Sequence, residues 1–214
     1  MEEDNEFVEK CPSMENYNRF MTEKNDYLYI EIFKPVANGY NKITNKPIRD
    51  GIDNFFYNLA FPLRFVNNIL QLEIKDATEE IGIFVINSTI GIFGIFKPAQ
   101  EYFNLENHNE DFGQTLATYG IGSGCHIVLP LFGPSNVRDI VGMSFNSQVD
   151  MIDNNFYNNY YIDNKDAIYT KMFKKLNESP EDIKEYEILK SDAIDLYPYL
   201  RDAYEQYREK QIKE

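Results

Sequence analysis

Between Glu80 and Lys97 the chain runs for sixteen residues, Ile81 to Phe96, without one charged side chain. A helix needs about 20 apolar residues to cross a bilayer, so this run is too short to span. Asn87, Ser88 and Thr89 sit in its middle, and Gly91 and Gly94 are placed to break a helix. Two readings are open from the residues alone. One is a hairpin buried in a protein core; the other is a segment lying in a bilayer without crossing it. The pattern taken by itself favours the core.

Charge narrows the partners. With 35 acidic against 21 basic residues the formal net charge is −14. A phosphate backbone needs a basic surface, so nucleic acid is excluded as a partner. Attraction to an anionic membrane is disfavoured for the same reason, and any membrane contact must rest on apolar area. A length of 214 residues allows one large domain or two small ones. That size can bury a core without a metal or a disulfide. Aromatics make up 15%, as sixteen Tyr and sixteen Phe with no Trp, while the mean hydropathy is negative. A polytopic membrane protein is thereby excluded. A disulfide between Cys11 and Cys125 is open, and two independent thiols are the default. The start, Met-Glu-Glu-Asp-Asn-Glu, is acidic and does not read as a targeting segment. The chain is expected either to be cytosolic or to stand without its export signal.

Local patterns describe a mainly helical protein with few or no strands. Residues 1–14 are expected to be a mobile acidic segment. A helix is expected over Glu15–Phe33, interrupted by Pro35, with a short one over Val36–Ile43. Pro47 suits a first turn, and Ile48, Ile52, Phe55 and Leu59 share one face. Pro62 opens another helix with Phe65, Val66, Ile69 and Leu70 as its stripe. Asp76 and Glu79 read as a capping box. Gly120, Gly122 and Gly124 permit close backbone approach or positive φ. Ile127–Leu131 reads as a short strand or extended link, and Ser135 as a cap for a helix to about Met143. Residues 146–166 read as a long loop or hairpin. Ser179-Pro180-Glu181-Asp182 reads as a helix start. From Ile183 an amphipathic helix runs to Tyr207, kinked at Pro198.

Catalytic signatures are missing. The glycines match neither a dinucleotide fingerprint nor a phosphate loop, and no nucleophile elbow occurs. His108 and His126 are too few for a histidine-rich metal site. Cys125 beside His126 is no dyad, since neighbours on a strand point apart. Asp111 reads as a cap for Phe112–Thr118, with Glu110 beside it. Arg138-Asp139 reads as a local pair or cap, the alternative being an arginine that reaches a lipid phosphate. The Tyr and Phe stripes read as core.

Five collinear segments resemble the VacJ/MlaA lipoprotein family. They are Asn16-Tyr-Asn-Arg19 with Asn25-Asp26; Pro35-Val-Ala37 with Gly39-Tyr40; Arg49 and Asn54 to Leu59 through Pro62, Val66-Asn67 and Leu70-Gln71; Phe84 to Gly94; and Asp111 to Leu116 through Tyr119, the three glycines, Leu129-Pro130, Gly133-Pro134-Ser135 and Arg138-Asp139. The similarity spans residues 14–205. Thr22 and Lys24 replace the usual aromatics before Asn25-Asp26, and Cys125 stands where the family often has proline. Cys11 lies too close to the first motif to be the lipidated cysteine, which the resemblance places upstream.

The resemblance implies a single ring-like helical domain over 15–205, with an amphipathic central channel and a tail at 206–214. It implies a non-enzymatic protein, without a cofactor, held in the inner leaflet of the outer membrane. Phospholipid from the outer leaflet would pass through the ring to a periplasmic lipid carrier. Some family members bind trimeric porins. The 146–166 loop corresponds to a hairpin held to control the channel. Asn18, Arg19, Asn25, Asn87 and Arg138 are expected to contact head groups. Phe84, Ile86, Ile90, Ile92, Phe93, Ile95 and Phe96 are expected to face acyl chains or membrane. A structural envelope adaptor that docks other proteins without carrying lipid is the alternative.

Overall fold

A computed structural model describes residues 11–150 and 164–213. The elements are α1 (Glu15–Leu28), a wide π turn (Tyr29–Phe33), α2 (Lys34–Ile43), α3 (Lys46–Leu59), α4 (Phe61–Leu70), α5 (Ile74–Thr89), α6 (Pro98–Phe103) and α7 (Phe112–Thr118). They continue with β1 (His126–Leu129), β2 (Gly133–Asn136), α8 (Val137–Val149), α9 (Asn164–Asp192) and α10 (Leu196–Lys213). The two strands form an antiparallel hairpin with Leu129 opposite Gly133. The mainly helical expectation holds.

Packing contacts close on themselves. The π turn leads from α1 into α2; α2 packs on α9, α9 on α3, α3 on α4, α4 on α7, α7 on α10, and α10 back on α1. The interior of this circuit is polar. Among the described residues, buried polar and charged side chains outnumber buried apolar ones, and the apolar cluster around Phe56 adds only Ile52 and Leu59. Asn18, Asn67, Asn68, Asn136 and Asn177 are wholly buried. Such groups are tolerated only when hydrogen-bonded. Asn18 donates to the His126 carbonyl and accepts from the Val128 amide, tying α1 to β1. Asn177 donates to the Arg49 carbonyl and to Asp53, tying α9 to α3.

The strongest tie sits where α7, α8 and α10 meet. Arg208 donates to both oxygens of Asp139, at 3.0 Å each, and to both oxygens of Asp111, at 2.8 and 3.0 Å. Tyr204, Arg138 and Asn136 also donate to Asp139. Burial alone would raise the Asp139 carboxyl; the bonds from Arg208, Tyr204 and Arg138 outweigh it and hold the group below its ordinary range. Glycine makes this approach possible. A Cβ on Gly142 would lie 2.6 Å from the Gly113 nitrogen, and one on Gly113 would lie 2.4 Å from Asp139 Oδ1.

Several local expectations are corrected. Pro35 does not end the first helix: the backbone stays helical into Lys34, whose N–H reaches back to the Tyr29 carbonyl. The wider turn makes room for a residue that cannot donate. Ser179-Pro180 is not a start, because α9 runs through it; Ser179 Oγ donates to the Leu176 carbonyl, the acceptor that Pro180 leaves without an N–H. The break falls before Leu196, not at Pro198, and the expected tail continues α10. Asp76 lies in the first turn of α5 without capping it. Asn136, not Ser135, caps α8, which extends to Val149. Residues 151–163 of the expected loop lie outside the described residues, as do 1–10. Of the glycines expected to approach backbone closely or take positive φ, Gly120 and Gly124 take positive φ, and only at Gly122 is neither seen. Cys11 and Cys125 are joined in a disulfide rather than independent. The Asp111 cap is present, and Gln114 completes it as a capping box.

Replacing Arg208 with alanine leaves Asp111 and Asp139 facing each other, the second of them buried. Loss of about 3–5 kcal/mol in urea unfolding is expected, with Arg208→Lys recovering part of it. A change under 1 kcal/mol, roughly that of an exposed pair, would show that this cluster does not hold the ring closed.

Candidate functional site: a polar cavity inside an apolar rim

Members of the helical circuit line an open cavity of about 490 Å³. Asp53 and Tyr57 reach it from α3, Arg64 from α4, Gln114 from α7, and Lys174 and Glu178 from α9; Lys97 and Glu110 line it from loops. Tyr57 is an organising group. The Arg64 guanidinium lies 3.6 Å from its ring centre and the Lys97 ammonium 5.6 Å from it. Arg64 also donates to Glu80, a wholly buried carboxylate that accepts from Tyr57 and from the His108 backbone. Burial raises the Tyr57 hydroxyl well above its usual value. The Lys97 side chain makes no hydrogen bond or ion pair among the described residues, so its charge is offered to the cavity.

Glu110 bridges α4 and α7 by accepting from Gln71 at 2.6 Å and Gln114 at 2.8 Å. Burial pushes its carboxyl up to about 7; the Gln71 bond opposes this, while Glu73 and Asp111 add to it. Burial also raises Glu178. The cavity thus holds both signs of charge, a setting for a zwitterionic or phosphate-bearing group and not for an acyl chain.

Outside, the polarity is reversed. Phe55, among the Phe stripes read as core, is exposed, as are Ile48 and Ile69 of the apolar faces of α3 and α4, while Arg64, Asn67 and Asn68 of α4 face inward. The uncharged run is the clearest case. It forms the end of α5 and a compact turn, with Ile92, Phe93 and Gly94 in the left-handed region. Phe93 is 72% exposed and Ile90 64%, with Ile92, Ile95 and Phe96 also exposed. The core reading of this run is therefore corrected. Phe84 is half-buried and stacks on Phe61; Ile86 is half-buried too. The turn's backbone is well satisfied: Gly94 donates to Asn87, Phe96 to Gly91 and Phe93 to Ser88, while the Ile95 carbonyl accepts from Asn54. Hydrocarbon demands such internal pairing. No helix among the described residues is long and apolar enough to cross a membrane.

The side chains expected at head groups are occupied. Asn18 braces β1, and Asn25 accepts from the Leu131 N–H and donates to the Leu129 carbonyl. Asn87 donates to Gln100 and accepts from the Ala99 N–H. Arg138 is buried against Asp139. Arg19 is part-exposed and pairs with Glu15 and Asp195. None of the five is among the residues that line the cavity. Sequence reasoning missed Tyr57, Lys97, Lys174 and Glu178. Lys97 carried a usable signal, as the first charge after the uncharged run.

A closed helical circuit, charged within and apolar without, defines the class. The model of the MlaA lipoprotein family matches residues 12–211, and the chain belongs to that family. An uncharacterized Rickettsia prowazekii protein is 30% identical over 213 residues, covering 98% of this chain and 81% of that one. The intermembrane phospholipid transport system lipoprotein MlaA of Haemophilus influenzae is 33% identical over 138 residues, 63% of this chain and 54% of its own length. Its Escherichia coli counterpart is 32% identical over 131 residues, 59% of this chain and 51% of its own length. The matches thus span about half of each of these two MlaA proteins. A solved structure, described as the structural basis for maintenance of bacterial outer membrane lipid asymmetry, superposes with a TM-score of 0.76 at 24% identity, over 93% of this chain and 98% of that one. At that identity the likeness establishes the fold.

Glu110 gives a pH signature. Its folded value near 7 lies above the ordinary 4.5, so its contribution to stability is full below about pH 4.5 and declines as pH rises towards 7. Glu110→Gln removes that decline. The melting temperature of the variant relative to the parent should climb by a few degrees, on the order of a 1 kcal/mol effect, between pH 4.5 and 7.5. A difference independent of pH would place Glu110 in water and not against the Gln71 and Gln114 amides.

Proposed function

We propose that this chain seats its apolar rim in the inner leaflet of the outer membrane and passes phospholipid from the outer leaflet through its cavity to a periplasmic lipid carrier. The observation that carries the reading is the inversion of polarity. An ordinary globular fold hides apolar side chains and solvates its charges. Here Arg64, Glu80, Asp139 and Arg208 are inside, and Ile48, Phe55, Ile69 and the large side chains of the 90–96 turn are outside. A lipid conduit needs that arrangement, with a polar track for the head group and acyl chains left against an apolar wall. Lys97 stands between the two, lining the cavity and directly following Ile95 and Phe96.

Other observations support the setting. A disulfide persists in an oxidising compartment such as the periplasm. A short uncharged turn with satisfied backbone suits half-depth insertion in one leaflet. The chemistry asked of the protein is non-covalent. The names carried by the Haemophilus and Escherichia relatives, which refer to intermembrane phospholipid transport, agree with this reading. Docking to a trimeric porin, as some family members do, would use the same apolar rim.

Chain purified from membranes in mild detergent and extracted with organic solvent should release bound phospholipid, measured by mass spectrometry. Lys97→Glu should lower the recovered amount several-fold while leaving the unfolding midpoint nearly unchanged. Preparations free of phospholipid but still bound to envelope proteins would favour a structural adaptor over a conduit.

A further inference from the structure

The β1–β2 turn carries a second apolar projection, separate from the 90–96 turn. Its sequence is Leu129-Pro130-Leu131-Phe132-Gly133-Pro134, and no charged residue lies between His126 and Arg138. Leu131 is 77% exposed and Phe132 79%. Water gives no reason to hold two large apolar side chains out in this way. The fold nevertheless fixes them there. Leu131 is a non-glycine residue at φ 68°, a conformation that costs about 1 kcal/mol or more. The side chain of Asn25 clamps the turn from α1, accepting from the Leu131 N–H and donating to the Leu129 carbonyl, each at 2.8 Å.

That clamp also decides what kind of partner the turn suits. Pro130 and Pro134 have no N–H to satisfy, Leu131 spends its own on Asn25, and Leu129 pairs with Gly133 across the hairpin. Few backbone groups are left that would lose water on entering hydrocarbon, where each unmade bond costs several kcal/mol, on the order of its transfer penalty. A protein pocket could supply partners of its own, which hydrocarbon cannot. The projection is also continuous with the apolar rim. The hairpin runs straight into α8, where Val137 and Val141 are exposed. The segment with exposed Tyr119 and Ile121 is tied to α8 by Arg138 N–H to Ser123, and to α4 by Tyr119 hydroxyl to Leu70.

We infer that Leu131 and Phe132 form a wedge that enters the lipid surface, a second point of membrane contact beside the 90–96 turn. The inference rests on the membrane seating proposed above. A second point removes one of the two tilts that a single point of contact leaves free at a surface. Asn25 acts as a positioning residue that presents the wedge.

The chain has no tryptophan, so Phe132→Trp and, separately, Phe93→Trp each give a single reporter. They are mixed with vesicles of phosphatidylethanolamine and phosphatidylglycerol, with and without bromine-labelled acyl chains. Shorter-wavelength emission and quenching at both positions support the wedge. Quenching of Phe93→Trp alone overturns it and leaves the seating intact. No quenching at either position overturns both. Quenching of Phe132→Trp alone supports the wedge and removes the 90–96 turn from the membrane. A shift of Phe132→Trp with protein concentration in the absence of lipid overturns the wedge in favour of a second copy. As a measurement without a reporter, Leu131→Ser with Phe132→Ser should lower co-flotation with vesicles several-fold, and equal co-flotation counts against the wedge.

Discussion

Asp139 is the point on which the ring turns. Its two oxygens collect donors from Arg208, Tyr204, Arg138 and Asn136, and its N–H completes the cap of α8 by donating to Asn136. Two charged partners with this many directed bonds can be stable away from water, where a lone charge cannot. The same arginine carries the cluster on to Asp111, which caps α7. One guanidinium thus secures two helix starts to the final helix of the chain. Without such a knot, a circuit with a hollow, charged middle has no large apolar core to keep it shut.

The lack of an apolar core recurs throughout. Helices lean on each other through asparagines that bond to backbone carbonyls and amides, as Asn18 and Asn177 do, and through the Gly113–Gly142 contact. These directional contacts tolerate a polar interior. They leave the apolar stripes free for the outside, where lipid and not protein would cover them. Bundles in a bilayer face the same problem, because tails offer no hydrophobic reward for helix association.

Much of this was legible in the residues, though not its direction. The spacing of Ile48, Ile52, Phe55 and Leu59 located α3, and Asp111 announced α7, because periodicity and capping are local. Periodicity reports that a helix has two unlike faces and is silent on what each face meets. The spacing of Ile48 and Ile69 therefore gave no sign that both are exposed. Prolines misled in a related way: Pro35 and Pro180 lack a donor, but a wide turn and the Ser179 hydroxyl compensate within the helix. The cavity was the least legible part. Asp53, Tyr57, Lys97, Lys174 and Glu178 come from distant stretches, and only the closed circuit brings them together. Asparagines such as Asn18 and Asn87 stood out in the motifs, but the structure employs them as braces.

The separation in sequence between Arg208 and its partners sets an order of events. Its partners Asp111 and Asp139 lie 97 and 69 residues earlier, and Tyr197 meets Asn18 across 179 residues. Contacts of such range cannot form until both partners are available, and the chain between them stays open until then. Until α10 arrives, the outward apolar side chains have no closed body to sit on. A chain of this design stays sticky over that interval, and an escort that shields it would serve it until α10 snaps the hoop closed.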